Sequence, residues 1–141
     1  MRRAGVGVVS AIIVAYNAGC SPEATHFVFT DADPGRSFVI ELSDEQKIAH
    51  ARRILSGEEQ SEVHVRGVIV KSPAHYDPDW SYHLDPDSIE FFEMAIEVCD
   101  ATMTYVEKHL DEVGSSFLPG SVWCPWSSVL AGEQVLVLEP E

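Results

Sequence analysis

Basic residues are scarce. The 141-residue chain has 9 Lys and Arg against 23 Asp and Glu, a formal net charge of −14. Nucleic-acid binding needs clustered cations to neutralise phosphate, so that class is excluded. Adsorption to anionic lipid through a polybasic patch is excluded for the same reason. Long apolar runs are missing too. The apolar run Ala4 to Ala15 falls short of the ~20 residues that a spanning helix needs. Catalytic signatures are absent: there is no Gly-x-Ser-x-Gly, His-Glu-x-x-His or Cys-x-x-Cys, and no phosphate-cradling glycine loop. No enzyme is expected, and no cofactor. There is no domain-scale repeat and no low-complexity stretch, and the length leaves room for one domain of ordinary composition.

The N-terminus is present as an address. Met1-Arg2-Arg3 is a basic start and Ala4 to Ala15 an apolar core, which is the build of an export signal. Ala18-Gly19 before Cys20 resembles the bacterial lipobox, whose cysteine is lipidated and becomes the mature N-terminus; Asn17 departs from the usual aliphatic residue. The expected division is a lipoprotein-type signal peptide over 1–19, a tether over 20–25 and a single domain over 26–141. The protein is then exported to the cell envelope, lipid-anchored or secreted, and any membrane contact runs through lipid on Cys20. Cleavage would remove Arg2 and Arg3 and no acid, leaving −16. The acid is lopsided, because Lys108 is the only base from Ser72 onward.

Cysteine is limited to Cys20, Cys99 and Cys124. With Cys20 lipidated, an even pair remains for an oxidising compartment. A Cys99–Cys124 bond would stabilise by about 3.5 kcal/mol in the chain-entropy account. Two buried free thiols are the other reading.

The pattern predicts an α+β domain: a mostly antiparallel sheet of about five or six strands with two helices packed on it. His26–Thr30 and Ser37–Leu42 read as a hairpin about an Asp-, Pro- and Gly-rich turn. A helix follows, capped by Ser43 with Gln46, striped by Ile48, Ala51 and Leu55 and stopped by Gly57. Glu62–Lys71 is a strand in which Gly67 marks a bulge or close approach. Trp80, Tyr82 and Leu84 share one strand face. Residues 88–113 admit one long helix, or a strand over Phe92–Val98 and a helix from Ala101 capped by Asp100. The split is preferred on length. A last strand is expected at Val135–Leu138.

Two patches offer chemistry. Asp77-Pro78-Asp79 and Asp85-Pro86-Asp87 put four carboxylates on loops, which suits calcium; His75 and His83 add imidazoles for a softer metal. The plain alternative is turn and cap residues around one strand. Trp80, Tyr82, Trp123 and Trp126 would form an aromatic binding surface if exposed. Alternatively, the rings around Cys124 close the core over a bridge.

The motifs His64-Val65-Arg66-Gly67-Val68-Ile69-Val70, Trp80-Ser81-Tyr82-His83-Leu84-Asp85-Pro86, Ala95-Ile96-Glu97-Val98-Cys99-Asp100 and Cys124-Pro125-Trp126-Ser127 together resemble one family. It is the N-terminal domain family of a slime-mould calmodulin-binding protein, over about Phe27 to Val129. The resemblance implies a small module with no catalytic residues to carry over. Calmodulin itself favours basic amphipathic helices, and Lys47–Arg53, behind Asp44 and Glu45, is a poor one. The expected function is therefore a non-enzymatic extracytoplasmic domain that binds a protein or small ligand. A calcium- or metal-dependent module and a secreted protease inhibitor are the alternatives.

Overall fold

The computed structural model describes residues 23–31, 35–95 and 98–135. The expected signal peptide, Cys20, and Leu136–Leu138 lie outside them. Among the described residues no helix is long and apolar enough to cross a membrane.

Alternation of apolar residues builds the first hairpin. Strands β1 (Thr25–Thr30) and β2 (Ser37–Leu42) pair antiparallel, with Thr25 opposite Leu42 and Thr30 opposite Ser37. Phe27, Phe29, Phe38, Ile40 and Leu42 enter the main core. His26, Val28, Val39 and Glu41 alternate with them, so they take the other face. Thr25, expected in the tether over 20–25, is the first residue of β1 and pairs with Leu42.

Helix α1 spans Glu45–Ser56. Its cap is Asp44, not Ser43: the Asp44 carboxylate accepts from the N–H groups of Gln46 and Lys47 at 2.8 and 3.2 Å. Gly57 ends it in the left-handed region at φ 85°, where glycine avoids a Cβ clash. Ile48 and Ala51 are buried and Ile54 packs beside them, while Leu55 is exposed.

Strand β3 (His64–Val70) organises the second sheet. Short antiparallel partners follow one another along it: β5 (Glu90–Phe92) on residues 64–66, β8 (Val122–Trp123) on 67–68 and β4 (His83–Leu84) on 69–70. Gly67 is a close approach. A Cβ there would lie 3.2 Å from a Leu84 methyl and 3.3 Å from Ser88 Oγ.

The chain between Ser88 and Val113 is split, as preferred, but the strand is Glu90–Phe92 and not Phe92–Val98. Met94 and Val98 are exposed. Helix α2 is only Met103–Lys108, capped by the Thr102 hydroxyl and not by Asp100. Strands β6 (Val113–Gly114) and β7 (Phe117–Pro119) make a small parallel pair. Strand β9 (Val129–Gln134) pairs antiparallel with β1; the strand expected at Val135–Leu138 falls, but for Val135, outside the described residues. Its Glu133 receives a two-pronged ion pair from Arg52 of α1, at 2.8 and 3.1 Å.

Among the described residues the architecture is α+β and mostly antiparallel, with two α-helices. The strands divide among sheets of three (β2-β1-β9), four (β4, β3, β5 and β8) and two (β6-β7), instead of one sheet of five or six. The reason is strand length. Turn residues cut the chain between β3 and β9 into two- and three-residue strands: β4, β5 and β8 share the long β3, and β6 and β7 pair with each other, while the longer β9 joins β1.

Candidate functional site

The expected aromatic surface is mostly core. Trp123 is fully buried, and Trp80 and Tyr82 are buried with it. Tyr82 meets Trp123 edge-on at 5.5 Å between ring centroids, and Phe38 lies 4.9 Å from Trp123. Each polar tip has a carbonyl: Trp80 Nε1 donates to Ser37 at 2.8 Å, Tyr82 Oη to Met103 at 3.1 Å and Trp123 Nε1 to Ala101 at 2.9 Å. The shared face of Trp80, Tyr82 and Leu84 is thus an inward face, as burial of large apolar surface requires. Trp126 is half-buried, packed against His64 and Phe92.

Cys99 and Cys124 are bonded, with Cα atoms 5.1 Å apart, and the Cys124 N–H donates to the Cys99 carbonyl at 2.8 Å. Both cysteines are buried. Beside the bridge runs a groove of about 600 Å³. Gly67, Val68 and Val122 line it, with Val98, Pro119 and the Arg66–Glu90 ion pair also on its walls.

The four aspartates do not converge. Asp85 accepts from the Asp87 N–H at 3.1 Å and caps the single turn Pro86–Ser88. Asp79 and Asp87 are exposed. Asp77 is buried and points elsewhere: its Oδ2 accepts from the Val39 N–H at 2.9 Å, satisfying a donor of β2, an edge strand. Burial pushes the Asp77 carboxyl up to about 6, and Asp79 adds to the rise, against the Val39 hydrogen bond.

Among the described residues, one group of His, Cys, Asp or Glu brings three ligand atoms together, and it is His26, Glu41 and His75. The hairpin register sets His26 opposite Glu41, and His26 Nε2 lies 2.9 Å from Glu41 Oε2. The loop after β3 folds over this face. Its Ala74 and Tyr76 pack on Val39 and Val28, which brings His75 alongside. The three ligand atoms lie within 4.8 Å of one another. Tyr76 stands against both imidazoles, 4.8 Å from His26 and 5.2 Å from His75 between ring centroids. Its hydroxyl is buried without a hydrogen-bond partner. Burial, then Glu41, raises the Tyr76 pKa well above its ordinary value.

Sequence reasoning put His75 in a metal context but missed His26 and Glu41. Alternation along the predicted hairpin was the available signal, since it sets both residues on one face.

A family model for the N-terminal domain of calmodulin-binding protein 74 matches residues 23–136. Neither the curated proteins nor the solved structures give a match.

Proposed function

The chain belongs to the family of calmodulin-binding protein 74 N-terminal domains, and from that premise we propose that it is a non-enzymatic binding module working outside the cytoplasm. Residues 1–19 would carry it there, and lipid on Cys20 would be its membrane contact. The Cys99–Cys124 bond carries this reading, since such bonds persist in oxidising compartments and are rare in the cytosol. It also leaves neither cysteine as a nucleophile. The groove beside the bond has an apolar floor and one ion pair, the kind of lining that ligand sites use. The acidity from Ser72 onward favours a neutral or cationic partner, protein or small molecule.

Cell fractionation, mass spectrometry of the N-terminus and non-reducing peptide mapping test the reading. The expected result is an envelope protein beginning at lipid-modified Cys20 and yielding a linked Cys99–Cys124 peptide pair. A cytoplasmic protein with intact Met1 and with Cys99 and Cys124 both alkylatable would overturn it. A metal-dependent reading draws its support from the imidazole cluster and none from the two Asp-Pro-Asp triplets.

A further inference from the structure

We infer that His26, Glu41 and His75 form a zinc-binding site on the outer face of the β1–β2 hairpin. The inference concerns a different face from the groove and does not rest on export.

The donor set comes first. Two imidazoles and one carboxylate are the ligands of many zinc sites that keep a fourth position open. Calcium wants six to eight oxygens and finds one carboxylate here. Geometry comes second. In a tetrahedral zinc site with bonds of roughly 2.0–2.1 Å, ligand atoms stand about 3.3 Å apart. His26 and Glu41 are already at 2.9 Å, and all three ligand atoms are within 4.8 Å. Closing the set takes a shift of up to about 1.5 Å, and His75, whose side chain is exposed, is the member placed to make it.

The other histidines give a third observation. His50, His83 and His109 each hold a backbone carbonyl with one ring nitrogen, while His64 packs on Phe92 and Trp126 with its Nδ1 buried and unpaired. Among the described residues nothing hydrogen-bonds the His75 ring, so it loses no partner on turning to a metal. The fourth is Tyr76. It is a 7% exposed residue whose ring packs on both imidazoles and whose buried hydroxyl has no hydrogen-bond partner among the described residues. A buried hydroxyl without a partner is costly in isolation. The surrounding field suits a cation, with Asp77 and Asp79 on the same loop and Glu41 in the site. The hairpin fixes two ligands on rigid backbone and the loop supplies the third, so zinc would pin the loop to the sheet.

The test uses the full chain without a polyhistidine tag, stripped with EDTA and dialysed. Zinc chloride is titrated by calorimetry and by thermal unfolding, with calcium chloride alongside. Cobalt(II) replaces zinc to report tetrahedral geometry by its visible absorption. The expected result is one zinc per chain with micromolar or tighter affinity, a melting temperature raised by several degrees, and no shift with calcium. His75→Ala, at an exposed position, should leave metal-free melting unchanged and weaken zinc at least tenfold. Glu41→Gln should weaken it too while keeping a hydrogen bond to His26. Zinc binding that is absent, or equal in wild type and His75→Ala, would overturn the site; so would a calcium shift without a zinc shift.

Discussion

Replacing Asp77 by Asn should make the protein more stable at neutral pH and leave it unchanged at pH 4. The buried carboxyl is pushed up from 3.8 to about 6, so the folded state holds its proton more tightly than the unfolded state does. Stability from the protonated form is then complete below about 3.8 and is lost as pH rises through about 6. At ~1.4 kcal/mol per pH unit the whole effect is at most ~3 kcal/mol. Residual contact with water brings the expectation to about 1–2 kcal/mol. Asn keeps an oxygen for the Val39 N–H and cannot ionise. Urea unfolding of both proteins at pH 4, 5, 6, 7 and 8, in EDTA, gives two stability curves. The difference between them isolates Asp77 from the other acids. It should be near zero at pH 4, grow through pH 5 and 6, and level off above 7 with the variant the more stable. Asp77→Ala should instead lose roughly 1–3 kcal/mol at pH 4, because it strands the Val39 N–H, and that deficit should shrink toward neutral pH, since Ala cannot ionise either. Parallel curves for wild type and Asp77→Asn would refute the reasoning, as would a carboxyl-carbon NMR midpoint near 4.

Two further outcomes follow from packing and cross-linking. The double variant Cys99→Ala/Cys124→Ala should lose about 3.5 kcal/mol in urea unfolding; reduction of the wild type should cost a similar amount. Gly67→Ala should lose roughly 1–3 kcal/mol by the same measurement. Its new methyl meets Leu84 at 3.2 Å and Ser88 Oγ at 3.3 Å, and Ser88 Oγ is held by Val68 and Asp85.

Local chemistry made the hairpin, α1 and β3 legible, because each element declares itself by alternation or by a cap. The α1 cap was misplaced by one residue because Ser43 and Asp44 are both good caps, and only backbone geometry chooses between them. The stretch from Ser88 to Val113 resisted reading for another reason. Its apolar residues recur at helical spacing, yet Phe91 and Phe92 are taken by pairing with Val65 and His64 on β3. That pairing is tertiary and has no local trace. Cysteine parity did point to the bridge. Trp80, Tyr82 and Leu84 were expected on one strand face; all three are buried, but only His83–Leu84 of that segment is strand, and their burial is decided by β2, β8 and α2. The imidazole cluster was half legible: alternation sets His26 with Glu41, but nothing in the loop's sequence says that it folds back over the hairpin.

The closure of β1 by β9 also sets a timetable. His26 pairs with Gln134 and Thr30 with Val129, so the central strand of the first sheet waits for residues about a hundred positions later. At roughly 5–20 residues per second of synthesis, that wait lasts about 5–20 s. Pairings of such sequence separation are also intrinsically slow to form. The nascent chain therefore leaves β1 with one open edge until β9 emerges. Trimming β9 should reopen that edge and take Leu130 from the core, whereas trimming β1 removes Phe27 and Phe29 and parts β2 from β9.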